Sequence, residues 1–115
     1  MKSEQRPIPT DWRQTFREIV AAFAANDYRR SIPAVEPISI ERANQIQRYI
    51  QNYGAALVAL PEETWQSSVC ILVGDHWDVL VDLWTKEEGR SDLVLEARVT
   101  DQPNFSVKVH LVYVP

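Results

Sequence analysis

The hydrophobic period of this chain changes once, and that change fixes the order of its elements. From Trp12 to Tyr53 the apolar residues recur every three or four positions, as on a helix with one buried face. From Ser68 to Val114 they alternate, as along strands. Helical segments followed by strand segments predict an α+β fold, with two N-terminal helices packed on one face of a four- to five-stranded antiparallel meander sheet.

In the first helix Trp12, Phe16, Ile19, Val20 and Phe23 form one stripe, with Arg13, Gln14, Arg17 and Glu18 opposite. Thr10 is expected to cap it and Asp11 to favour its N-terminal dipole. Pro33 and Pro37 make Ser31 to Ile38 a linker. The second helix begins at Ser39, carries Ile40, Ala43, Ile46, Ile50 and Tyr53, and ends at Gly54, suited to a left-handed cap.

Ala56, Val58 and Leu60 alternate before Pro61-Glu62-Glu63 and read as a first strand followed by a turn. Four further strands are expected at about 68–73, 77–85, 92–100 and 105–114, with links too short for parallel crossovers. At 115 residues, 45% hydrophobic and 24% charged, the chain is expected to be one domain spanning 10–115 behind a flexible segment 1–9.

Charge and apolar pairing suggest registers. Val79 opposite Ala97 sets Val81 beside Leu95 and Asp78 beside Arg98. Ala97 opposite Val107 pairs Leu95 with Val109, Leu93 with Leu111 and Glu96 with Lys108; a two-residue slip would oppose Arg98 and Lys108. Aligning Ile71 with Val79 keeps Val69, Val73, Trp77 and Val81 on the core face. The other face then holds Leu72, Leu80, Trp84, Val94, Val112 and Val114 among Asp78, Asp82, Glu96, Arg98, Lys108 and His110, which is more apolar than a solvated face needs.

Charge narrows the function classes. Sixteen acidic against twelve basic residues, with no basic cluster, give a net charge of -4 and no surface for nucleic acid. No apolar run approaches the length of a membrane span, and the N-terminus lacks a signal peptide's pattern. The single cysteine, Cys70, excludes an intrachain disulfide and fits a reducing cytoplasm. Flanked by apolar residues, it reads as a packed neutral thiol.

No catalytic, cofactor or metal site emerges. Asp75, His76 and Asp78 lie close in sequence, but strand alternation sends neighbours apart and no second His or Cys completes a zinc set. Ser68, Asp82 and His110 fall on one row of the outer face, yet Asp82 and His110 are two strands apart, roughly 10 Å, where proton transfer needs about 3 Å. The run Lys86 to Arg90 lacks the spacing of a phosphate loop and reads as a solvated hairpin. Trp65, Trp77 and Trp84 are weighed as interface anchors against packing within the domain.

The stretch EETWQSSVCILVGDHWDVLVDLWTKEEGRSDLVLEARV resembles a family of small bacterial proteins of unknown function. The opening helix, FREIVAAFAANDY, looks like the first helix of nuclear-transport-factor-2-like domains, a resemblance that implies a pocket between helices and a curved sheet.

The leading functional expectation is a non-catalytic module that binds a protein partner, or itself as a homodimer, through Leu80, Trp84, Val94 and Val112 on the outer face. An immunity protein that neutralises a toxin is one concrete form. The alternative is a small-molecule-binding or enzymatic domain with a cavity between helices and sheet. A third reading has the outer face covered by residues 1–9 or by the 31–38 linker.

Overall fold

The computed structural model describes residues 5–115. Its elements are β1 (Gln5–Pro7), α1 (Thr10–Ala24), α2 (Ile40–Tyr53), a 3-10 turn (Glu62–Gln66), β2 (Val69–Val73), β3 (His76–Thr85), β4 (Gly89–Thr100) and β5 (Ser106–Tyr113). The strands form one sheet in the order β1-β2-β3-β4-β5, each neighbouring pair antiparallel. Both helices precede the β2–β5 meander, as the change of period requires, and the fold is α+β.

All five residues of the α1 stripe are buried. Thr10 is the first helical residue rather than the cap: Pro9 holds that position at φ -53° and offers no side-chain cap. A proline's fixed φ suits the helix entry, and its carbonyl accepts from Trp12 N at 3.0 Å. At α2, Ser39 accepts from Arg42 N at 3.1 Å and Gly54 closes the helix at φ 85°, the left-handed region that favours glycine. Ala43, Ile46 and Ile50 are buried, while Ile40 is exposed at the helix start.

The strand expected at Ala56 to Leu60 does not form. Leu57 makes one isolated bridge to Thr85, Val58 N donates to Trp84 O at 3.0 Å, and Lys86 N donates to Ala56 O at 2.9 Å. The buried residues are Leu57 and Leu60, three apart, a spacing that strand alternation would send to opposite faces. The fifth strand is instead β1. Of the segment 1–9, expected as a flexible lead, residues 1–4 lie outside the described residues, Gln5–Pro7 pair with β2, and Ile8 is fully buried.

The linker also has a structural task. Glu36 N donates to Val107 O and Val107 N to Ala34 O, both at 2.8 Å, so the linker lies along the free edge of β5. The opposite edge is the three-residue, proline-containing β1. Both are devices that blunt a sheet edge against further pairing.

Two registers differ from the sequence expectation. In the β2–β3 hairpin only Gly74 and Asp75 form the turn, with Gly74 at φ 64°, so Val73 pairs with His76 and Cys70 with Val79. This one-residue difference exchanges the faces of β2. Cys70 turns to the core; Val69, Ile71 and Val73 join the outer side; Leu72 shares the side of Trp77.

In β4–β5, Val99 pairs with Val107, Ala97 with Val109 and Arg98 with Lys108, the arrangement the charge argument disfavoured. Beyond it Glu96 pairs with Leu111, leaving His110 as the extra residue of a bulge. The bulge turns Val112 inward opposite Leu95, where it is only 2% exposed. Burying a valine is worth about 1.5–2 kcal/mol, against well under about 1 kcal/mol for an exposed ion pair, so packing decides the register. The β3–β4 register is as expected: Asp78 faces Arg98, Val79 faces Ala97 and Val81 faces Leu95.

The core lies between the helices and the inner face of the sheet, built on Phe16, Ile19, Ile46, Val79, Val81, Leu95 and Val107. Trp12 meets Trp77 edge-on with ring centroids 5.9 Å apart and Phe105 at the same distance, closing one end. Trp65 is buried in the 3-10 turn, with the Arg13 and Arg17 guanidinium groups over its ring at 5.4 Å.

Candidate binding face

The registers define the face turned away from the helices as transverse rows. One runs Pro7, Val69, Leu80, Glu96, Leu111 across all five strands. The next runs Gln5, Ile71, Asp78, Arg98, Lys108. On the other side of the first lie Asp82, Val94 and Tyr113. The middle row is apolar except for Glu96, and the flanking rows carry most of the charge.

Leu80 is half-buried at the centre of this face, and Val94 is 8% exposed without belonging to the core cluster. Val73, 41% exposed, extends the apolar area along β2. Of the residues expected to make the interface, Leu80 and Val94 are central and Trp84 lies at the margin. Val112 is removed to the core by the bulge. Trp84 sits beside the 3-10 turn and Arg90 and packs against the border of the core; its indole Nε1 is buried with no hydrogen-bond partner among the described residues. Sequence reasoning missed Val69, Ile71 and Leu111, because their facing depends on a turn length and a bulge. The segments 1–9 and 31–38, where described, occupy the sheet's two edges.

The chemical candidates resolve into structural roles. Ser68 Oγ accepts from Asp82 N at 2.9 Å, and Thr64 Oγ1 donates to Asp82 O at 2.7 Å. The Asp82 carboxylate accepts from Ser67 Oγ. These hydroxyls pin the 3-10 turn onto β3, and His110 stands on β5 with β4 between. The sequence signal for Ser67 was the Ser-Ser pair after the turn, which does not reveal which strand receives it.

His76 lies 3.5 Å from Asp75 Oδ1 and 3.4 Å from Asp78 Oδ1. Among the described residues no group of three or more His, Cys, Asp or Glu is placed to hold a metal. Cys70 is 1% exposed with Sγ 3.6 Å from Pro7 O, and burial pushes its thiol pKa up, against a smaller lowering by Arg6. That is the reverse of what a nucleophile needs.

The loop after β3 is tethered rather than free. Glu87 accepts from Ala56 N at 2.9 Å, and Glu88 accepts from Tyr53 Oη at 2.8 Å. A groove of about 410 Å³ opens where the two helices end, lined by Phe23, Asn26, Tyr28, Ile50, Gly54 and Leu57. It brings together no acid and base, and the buried side chains between helices and sheet belong to one hydrophobic cluster.

Residues 20–115 match the family described as a domain of unknown function, DUF7668. The chain belongs to the DUF7668 family. No curated protein and no solved structure matches it. The DUF7668 match takes in the end of α1 from residue 20, all of α2 and the whole β2–β5 meander, and leaves out β1 and the part of α1 before residue 20.

Proposed function

We propose that this protein is a non-catalytic binding module whose partner is a protein surface seated on the outer face of the sheet. The observation that supports it is the row Val69, Leu80, Glu96, Leu111, apolar on three of its four strands and flanked by rows that carry most of the face's charge. An apolar centre within a charged rim is the usual anatomy of a protein–protein contact. The non-catalytic reading is supported by the tasks found for the reactive side chains: Ser67, Ser68 and Asp82 fasten the 3-10 turn, and Cys70 is packed. The setting proposed is a reducing one such as the bacterial cytoplasm, supported by the lone buried thiol. No helix among the described residues is long and apolar enough to cross a membrane. Neutralisation of a toxin is one form such binding would take, favoured only by the small acidic chain.

The test compares wild type, Leu80→Arg and a control, Ile40→Arg, on the exposed start of α2, as immobilised baits in extract of the native cell. The expected result is a stoichiometric partner held by wild type and by the control and lost with Leu80→Arg. Equal retention by all three would remove the face from the function.

A further inference from the structure

The groove at the helix ends carries polar groups that the fold leaves unused. Phe23, Ala24 and Asn26 line it from the end of α1, and Ile50, Gln51 and Gly54 from the end of α2. A helix C-terminus is the negative end of its dipole, which a basic residue in the last turn commonly offsets. Neither helix has a basic residue there. The Ala21, Ala22 and Phe23 carbonyls accept from the turn that follows α1. Ala24 O and Tyr53 O, the last carbonyl of each helix, accept no hydrogen bond among the described residues.

Tyr28 adds an independent observation. Its side chain is 7% exposed, lines the groove and stacks on Phe23 with ring centroids 5.1 Å apart. Its hydroxyl makes no hydrogen bond among the described residues. The unpartnered indole nitrogens of Trp65 and Trp84 are sealed from solvent; the Tyr28 oxygen is not, so a molecule in the groove can reach it. Burial raises the Tyr28 pKa and keeps the phenol neutral. A neutral phenol oxygen accepts from an N–H, and aromatic rings attract a cation.

Among the described residues no charged side chain lines the groove. Beside it, Glu87 accepts from Ala56 N at 2.9 Å and makes no ion pair among the described residues. Arg30 is paired with Asp27, and Arg29 Nε donates to Ile38 O. Two helix dipoles and a carboxylate thus favour a cation, while Ile50 and Leu57 offer it an apolar wall.

We infer that this groove binds a small primary ammonium with an apolar body, its head recognised by the helix-end carbonyls and the Tyr28 oxygen. The site is separate from the outer face of the sheet, and neither reading depends on the other. The closing experiment is an amide NMR titration of the full chain at neutral pH with benzylammonium, benzyl alcohol and benzoate, three probes that share a ring and differ in head charge. It is repeated on Gln51→Lys, which puts a cation at the exposed end of α2, and on Tyr28→Phe, which removes only the hydroxyl. Thermal unfolding of both variants verifies that they are folded; a lysine at a helix C-terminus maintains or raises the melting temperature.

The expected result is a shift of the amides of residues 24–28 and 54–57 by benzylammonium, with a Kd of about 1 mM. Benzyl alcohol binds about tenfold more weakly or worse, and benzoate leaves these amides unmoved. Gln51→Lys abolishes the benzylammonium shifts, and Tyr28→Phe weakens binding by about fivefold. Benzyl alcohol binding as tightly as benzylammonium overturns the ammonium class. Undiminished binding to Gln51→Lys overturns recognition by the helix ends. Groove amides that stay unmoved up to about 50 mM benzylammonium, or shifts scattered over surface carboxylates and removed by salt, overturn the site and leave the extract experiment untouched.

Discussion

The Arg42 guanidinium on α2 donates to the carbonyl of His110, the extra residue of the β5 bulge. A bulge leaves a backbone group outside the ladder, and here a helix side chain supplies the missing donor. The contact joins the second helix to the one irregularity that decides which side chains of β5 face the core.

Replacing Arg42 with Ala should therefore destabilise more than an ordinary surface change. Bonds from charged groups are worth about 1.5–3 kcal/mol, and partial exposure places this one near the lower end, about 1.5 kcal/mol. Urea unfolding measures it; a loss within about 0.5 kcal/mol would make the contact incidental.

The bulge itself is tested by neighbouring residues. Val112→Ala should cost about 2 kcal/mol from lost burial and the cavity left behind, and Val112→Asp should prevent stable folding. Leu111→Asp, on the outer face, should leave the monomer folded with a much smaller loss. Without the bulge the order would be reversed, so denaturation midpoints of the pair decide between the two registers.

The pKa of His110 is lowered, first by burial, then by the Arg98 charge; Arg42 and Lys108 add to the lowering and Glu96 opposes it. Its folded value thus lies below the ordinary 6.5. Between the two values the unfolded chain binds more protons, so stability rises with pH in that window. The contribution is complete above pH 6.5 and is lost as pH falls through the folded value. Melting temperature should fall on acidification below pH 6.5, and His110→Gln should flatten part of that slope; an unchanged slope would assign it to other groups.

Ile8 is fully buried, although it stands just outside the first helix in a segment of polar composition. Ile8→Ala should cost about 2–4 kcal/mol, as for other fully buried aliphatic residues. A neutral result would mean that the segment following β1 does not hold its place against the core.

Much of the architecture was legible because it depends on local period. The α1 stripe from Trp12 to Phe23, the start of α2 near Ser39, the Gly54 terminus and the pairing of Val79 with Ala97 all follow from residue type and spacing within a few positions. The segment 56–60 misled because two or three alternating apolar residues do not distinguish a strand from a loop that docks at one point. The short β1 was illegible for the opposite reason: Gln5-Arg6-Pro7 has no strand pattern, and β2 alone makes it a strand.

The sequence by itself determined the helices, the meander and the presence of a sheet with two partly apolar faces, since these follow from periodicity. Only the tertiary structure decided which residues occupy each face. A two-residue turn at Gly74-Asp75 reverses β2, and one extra residue at His110 reverses the end of β5, carrying Val112 into the core and Leu111 out of it. Because side chains alternate with a period of two, a shift of one residue changes the face of every residue that follows. The charges that suggested a different register are worth less than the apolar surface that the bulge allows the sheet to bury.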